Sequence, residues 1–303
     1  VRKSKEISML TPQEKEALDQ FEQYRPMLFS IAYRMLGSVS EAEDMLQNAY
    51  VRYCQVPAGS IASPKAFLST MVTRLCLNHL QSVRVQRESY LGPWLPEPLL
   101  TEDDPESPTS QAERLESISM AFLVLLERLT PVERAVFVLR EVFDYPYPDI
   151  AEIVGKEEVS CRQILSRAKK FIVAEHPRFT PSTEHHQQLL RQFLGAVSEG
   201  DLDGLTQLLA SDITLSTDGG GKVRGAATRT LHGTEAVARF IIAISQRHVQ
   251  ATSTMEITVA NGEPAFLMRV DGHPFMVVSV TIAQQRIVDI RAISNPDKLR
   301  HLE

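Results

Sequence analysis

Cysteine is scarce in this chain: three in 303 residues, Cys54, Cys76 and Cys161, far apart and in no CxxC pair. An odd, scattered set excludes a disulfide framework and a thiolate zinc site, and it suits a reducing, cytoplasmic setting. Long apolar runs are absent as well. Nothing approaches the roughly 18 consecutive apolar residues of a membrane helix, and Val1-Arg2-Lys3-Ser4-Lys5-Glu6 lacks the apolar core of a signal peptide, so no membrane partner is expected. Aromatic residues make up only 7%, with a single tryptophan, Trp94. What remains is a 43% hydrophobic, 23% charged chain, the profile of globular protein. At roughly 100–200 residues per domain, its length predicts two or three domains.

Acid is also missing, but only locally. Met45 to Arg87 contains no Asp or Glu and carries Arg52, Lys65, Arg74, Arg84 and Arg87. Glu88 to Glu127 reverses the sign, with nine acidic residues against Arg114 alone. From Val159 to Ala174 acids vanish again while Arg162, Arg167, Lys169 and Lys170 crowd together. The net charge of −6 therefore hides two basic blocks on either side of an acidic connector, the pattern of two separate phosphate-facing surfaces.

The basic blocks lie in helical sequence. Phe21, Tyr24, Leu28, Ile31 and Met35 recur at helical spacing behind Thr11-Pro12, and Gly37 ends the run. Ser40-Glu41-Ala42-Glu43 reads as a capping box, and Ser63-Pro64 opens another helix. Prolines 93, 96, 98, 105 and 108 keep the connector extended. Trp94 within it calls for a docking partner, because its large apolar surface is costly in water. Thr130-Pro131-Val132-Glu133 is a further capping box, predicting a helix to about Val142.

Pro148 to Gly155, a tight turn and Val159 to Lys170 fit a helix-turn-helix. Ile150, Ala151 and Val154 are its expected packed face, and Ile164, Leu165 and Ala168 hold the second helix down. That leaves Ser160, Arg162, Gln163, Arg167, Lys169 and Lys170 for DNA. Arg and Gln suit base edges, whereas Lys suits phosphate.

From Pro181 the pattern changes. A helix over about Ser182–Glu199 and a shorter one after Asp201 precede strand-like runs at 213–216, 254–259, 265–270, 275–282 and 287–293. Asn261-Gly262 and Asp271-Gly272 are hairpin signals. The expectation is an α+β domain, helices first and an antiparallel sheet last. Asp212, Asp218, His232, His248, Asp271, His273 and Asp289 could serve as acid–base groups, but their spacing singles out no dyad.

Two segments carry a family resemblance. Leu139-Arg140-Glu141-Val142, the Pro148–Gly155 helix and Ser166-Arg167-Ala168-Lys169-Lys170 resemble the promoter −35-binding region of extracytoplasmic-function (ECF) sigma factors. Tyr24-Arg25-Pro26, Ala32-Tyr33-Arg34-Met35-Leu36-Gly37 and Glu41 to Tyr50 resemble the other half of that family. Trp94-Leu95-Pro96-Glu97-Pro98, Asp218-Gly219-Gly220-Gly221-Lys222 and Asn295-Pro296-Asp297-Lys298 are similar to hallmarks of the group with a C-terminal SnoaL-like domain.

The resemblance implies sigma region 2 at 11–90, an acidic Pro-rich linker at 91–115, region 4 at 116–178 and a SnoaL-like domain at 181–303. It implies two all-α domains followed by an α+β one, no catalysis and no cofactor or metal. Its partners would be core RNA polymerase, through the clamp of the largest subunit, and promoter DNA.

Glu43, Asp44 and Gln47 share one helix face and are the implied polymerase contact. Arg74, Asn78, His79, Arg84 and Arg87 are implied at the −10 element, with a flipped base near Asn78-His79. Commoner members often carry Asp near Asn78 and more arginines after it, a departure that bears on those base contacts. The acidic linker is implied to thread toward the polymerase cleft. The C-terminal domain is implied to regulate in cis, its 218–222 loop and 295–298 tail meeting the linker at Trp94–Pro98, and its pocket leaves room for a small-molecule ligand. The competing reading is a SnoaL-like enzyme or ligand-binding protein whose helical half regulates DNA without polymerase; the Glu41–Tyr50 segment distinguishes the two.

Overall fold

The computed structural model describes residues 12–57, 59–101, 119–175, 183–248 and 253–303. Thr11, Glu116 and the acidic stretch 102–118 lie outside them, as do the side chains of Arg84, Arg87 and His248. The chain forms two compact units, one of Val1–Arg84 with Leu126–Val173, the other of Val85–Leu125 with Ala174–Glu303.

The first unit is helical. Helix α1 (Pro12–Leu36) ends where Gly37 takes φ +66°, and α2 (Val39–Tyr53) follows at once. Its N-cap is Ser38, whose Oγ accepts from the Glu41 amide at 3.1 Å, so the expected capping box at Ser40 is displaced. The left-handed turn at Gly37 starts the helix early enough for Ser38 to reach the third amide on. Glu43 is thereby left to pair with Arg25 at 2.5 Å. Helix α3 (Pro64–Glu88) opens at Ser63 as expected.

Helix α4 (Met120–Glu127) leads to α5 (Pro131–Phe137), which begins with the expected capping box: Thr130 Oγ1 accepts from the Glu133 amide, and Glu133 accepts from Thr130 N. Such a cap is worth about 1 kcal/mol. A π-helical turn, Val138–Val142, extends α5 to the expected end.

Helices α6 (Tyr147–Val154) and α7 (Glu158–Glu175) form the helix-turn-helix, with Gly155 in the left-handed region at φ +65°. Ile150 and Ile153 are the residues α6 buries; Ala151 and Val154 are only half-covered. The expected face is thus rotated, because i and i+3 of this short helix point at the core. Ile164, Leu165 and Ala168 are buried as expected.

In the second unit, α8 (Thr183–Glu199) and α9 (Leu202–Leu208, capped by Asp201) precede a six-stranded sheet. The strands are β1 (Leu209–Asp218), β2 (Leu231–His232), β3 (Ser253–Ala260), β4 (Glu263–Val270), β5 (His273–Ala283) and β6 (Arg286–Ile293), in the order β2-β1-β6-β5-β4-β3. The sheet is mixed rather than antiparallel, since β1 runs parallel to β6. A parallel neighbour requires a crossover. The long return through α10 (Thr234–His248), a helix absent from the sequence reading, supplies part of it. Asn261-Gly262 and Asp271-Gly272 have positive φ at both residues and close the two expected hairpins. Gln284-Gln285 closes a third with φ of +49° and +61° and no glycine to announce it.

The sheet is covered on both faces. Phe266, Val278, Ile290 and Ala292 pack toward the helices with Leu190 and Phe193. Their immediate neighbours Leu267, Val277 and Ile293 face the other way, as strand alternation requires, and meet Leu95, Met120 and Leu299. One segment that covers this second face therefore comes from the Pro-rich connector.

Candidate nucleic-acid interface and linker clamp

The two basic helices present their polar residues outward. On α7, Arg162, Gln163, Arg167, Lys169 and Lys170 are exposed and Ser160 is half-buried. Arg162 is steered by Glu158 at 2.9 Å and lies over the Tyr147 ring at 4.8 Å, while Lys169 pairs with Glu141 at 2.6 Å. On α3, Asn78 is exposed and His79 sits 3.2 Å from Glu41. Arg74 is occupied otherwise: its guanidinium donates to the carbonyls of Glu152 (2.8 Å) and Ile153 (3.3 Å) at the C-terminal end of α6. A cation there meets unpaired helix carbonyls and the negative end of the helix dipole. On α2, Asp44 and Gln47 are exposed side by side, with the Arg25-paired Glu43 half-buried next to them.

Further ties join α1 and α3 to the α5–α6 segment within this unit. Arg134, almost fully buried, donates to Met35 O at 2.6 Å and pairs with Glu127 at 2.5 Å. Tyr145 donates its hydroxyl to Ser69 Oγ at 2.5 Å, and burial raises its pKa. None of Arg134, Tyr145 and Ser69 was singled out from sequence; only their tertiary neighbours reveal them.

The second unit holds a clamp around the connector. Asp218, at the end of β1, is 1% exposed and Lys298 6%. Their charges meet at 2.8 Å. Asp218 Oδ2 also accepts from the Leu95 amide at 2.8 Å, and Oδ1 from the Tyr90 hydroxyl at 2.5 Å. Lys298 Nζ donates to Leu95 O and stands 3.9 Å from the Trp94 ring centre. Asn295 Nδ2 donates to the Tyr90 oxygen at 2.9 Å. Burial, and then the hydrogen bond to Asp218, raise the Tyr90 pKa.

Gly220 is required at φ +58°, because any Cβ there would lie 2.4 Å from the Asn295 amide. Lys222 pairs with the exposed Asp297, whose pKa is lowered by it. Gly219 is buried and Pro296 exposed beside them. Leu95, Pro96 and Glu97 are buried, and His301 lies 2.7 Å from Pro98 O. Further along, Leu99 and Thr101 hydrogen-bond to the β3–β4 hairpin: Asn261 N to Leu99 O at 2.7 Å, and Thr101 N to Val259 O at 2.9 Å. The three motifs at 94–98, 218–222 and 295–298 thus converge. Tyr90, Asn261, Thr101 and His301 join them through tertiary contacts that no local motif announces; the Asn261-Gly262 sequence signals a hairpin alone.

Residues 20–85 match the model described as Sigma-70 region 2, and 119–172 that described as Sigma-70, region 4. The ECF RNA polymerase sigma factor SigJ of Mycobacterium tuberculosis is 36% identical over 290 residues, covering 93% of this chain and 92% of the relative. The chain belongs to the ECF RNA polymerase sigma factors. The probable ECF sigma factor SigI of the same species is 30% identical over 283 residues, with 91% of this chain and 92% of the relative covered. The crystal structure of the SigJ protein superposes with a TM-score of 0.74 at 34% identity, covering 93% of this chain and 97% of that one.

As an ECF sigma factor the chain is not an enzyme, and its partners are core RNA polymerase and promoter DNA. The reading without polymerase is set aside. The α+β domain with its six-stranded sheet lies beyond the two matched sigma regions. No helix among the described residues is long and apolar enough to cross a membrane.

Proposed function

We propose that the SnoaL-like domain of this sigma factor regulates promoter recognition in cis, by holding the segment that connects regions 2 and 4. The observation that carries this reading is the buried Asp218–Lys298 pair closed on the Leu95 backbone. Elements named −35 and −10 lie about 25 base pairs apart, roughly 85 Å along B-form DNA. Modules tied by Arg74, Arg134 and Tyr145 must separate to read both. Every connector residue held against the sheet is withdrawn from the span that separation needs. A clamp on the same polypeptide acts at high effective concentration, so a modest interface is enough.

Within this reading, Asp44 and Gln47, with Glu43, dock on basic residues of the clamp of the polymerase largest subunit. Asn78 and His79 serve the −10 element, together with Arg84, Arg87 and an Arg74 freed from α6. Arg162, Gln163, Arg167, Lys169, Lys170 and Ser160 serve the −35 element.

The test is run-off transcription by core polymerase programmed with wild-type or Asp218→Ala chain. The variant is expected to give more promoter complex at equal concentration. Identical transcription from a folded variant refutes regulation through the clamp.

A further inference from the structure

Between the inner face of the sheet and helices α8 and α10 lies a cavity of about 550 Å³. That is within the roughly 300–1,000 Å³ that houses small organic ligands. Most of its wall is hydrocarbon, with Phe193, Phe240, Ile244, Phe266, Val278 and Ala292 among the lining residues.

Among the described lining residues, the two buried hydroxyls are already engaged. Thr217 Oγ1 accepts from Ala227 N at 2.6 Å and donates to Ala227 O, and Ser294 Oγ donates to Asp218 O. Among the described residues, the two ionisable ones that touch the cavity, Glu199 and Arg224, are both exposed. Asp212, Asp218, His232, Asp271, His273 and Asp289 do not line it. Among the described residues, a charged guest would shed its water without a buried countercharge to meet it, and chemistry on a bound guest would find no buried acid or base in the wall.

The cavity also shares its wall with the clamp. Strand alternation puts Phe266, Val278 and Ala292 on the cavity side and Leu267, Val277 and Ile293 against Leu95, one peptide unit away. Thr217 and Ser294 line the cavity; Asp218 and Asn295, the next residues, hold the connector. A sheet packed on both faces passes a displacement from one side to the other, because its interior is not compressible.

We propose that this cavity is a non-catalytic receptor site for a neutral, hydrocarbon-rich small molecule, whose occupancy is transmitted through the sheet to the connector clamp. The consequence for promoter choice rests on the cis-regulatory reading; the binding does not.

The experiment uses the full chain and N-phenyl-1-naphthylamine, a neutral aromatic probe, with anionic 8-anilinonaphthalene-1-sulfonate for comparison. Expected is saturable one-to-one fluorescence enhancement by the neutral probe, at least tenfold tighter than the anion. Ala292→Phe from the sheet and Ile244→Trp from the helix fill the cavity and should abolish it. Hydrogen exchange should show slower exchange at Phe266 and neighbouring inner-face amides when the probe is bound. The Leu95 and Thr101 amides should change at least threefold, in the wild type alone.

Absence of saturable binding overturns the proposal. So does tighter binding of the anion, undiminished binding by a folded filled variant, or a footprint away from the inner face. If both filled variants unfold, the wild-type footprint and charge preference decide. A footprint on the inner face with no change at Leu95 and Thr101 refutes the transmission. Probe binding with correct exchange changes, beside an Asp218→Ala variant that transcribes like wild type, would sink the regulatory reading and leave this one standing.

Discussion

Asp218 and Lys298 lie 80 positions apart in sequence and form a buried ion pair at 2.8 Å, and the backbone of Leu95 is gripped from both sides by that pair. Neither charge tolerates loss of the other. Lys298→Met should destabilise the second unit by about 3–5 kcal/mol, because Asp218 is left buried without its cation. Lys298→Met with Asp218→Leu should lose less than the sum of the single changes. Urea unfolding of the four proteins gives the coupling; simple additivity would show that the pair is not a unit.

Asp44 is exposed on α2, and its replacement should not trouble the fold. Asp44→Lys is expected to leave stability within about 0.5 kcal/mol. Affinity for core polymerase should drop at least about tenfold, since a carboxylate meeting basic residues becomes a like charge. Core binding followed by anisotropy checks both halves, and undiminished affinity removes this face from the interface.

On α7, Arg167 and Lys170 should fail in different ways. Arg167→Ala is expected to cost about 1–3 kcal/mol of promoter affinity and to relax preference at one −35 base, if it forks onto a base edge. Lys170→Ala should weaken binding evenly across sequences and lower the salt slope by about one. Holoenzyme binding to single-base promoter variants at several salt concentrations separates the two.

His186 gives the second unit a pH signature. The ring is 5% exposed on α8, and its Nε2 has no hydrogen-bond partner among the described residues. Burial, with the neighbouring His185 adding to it, depresses its pKa from 6.5 to about 4. The unfolded chain therefore binds a proton over that window and the folded one does not, so stability is present above pH 6.5 and is lost as pH falls toward 4. The loss from this group is about 3 kcal/mol. His186→Leu should flatten the dependence, read as the unfolding midpoint in urea at pH 7 and pH 4.5; an equal drop in both proteins would assign it elsewhere.

Much of this architecture is written locally. Gly37, Ser63-Pro64, the Thr130–Glu133 box and Gly155 mark helix ends by the backbone chemistry of a few adjacent residues, and each lies where that chemistry puts it. Asn261-Gly262 and Asp271-Gly272 announce their hairpins for the same reason. The errors arise where local signals compete: Ser38 and Ser40 are both capping residues, and only the turn at Gly37 chooses between them. Gln284-Gln285 carries no signal, because its strained turn is held by the strands on either side. The unbroken Pro264-Ala265-Phe266-Leu267-Met268 run, buried throughout, is the sequence signature of a strand covered on both faces.

By itself the sequence determined most of the helices and strands, the two acid-free basic blocks and the motifs that mark a sigma factor, since periodicity, caps and charge act over a few residues. Only the tertiary structure decided that Arg74 is spent on carbonyls of α6, that β1 joins β6 in parallel, and that Asp218, Lys298 and Leu95 form one clamp. Such pairings join residues tens to hundreds of positions apart. Their energy comes from desolvation and mutual burial, which exist only once the chain has closed.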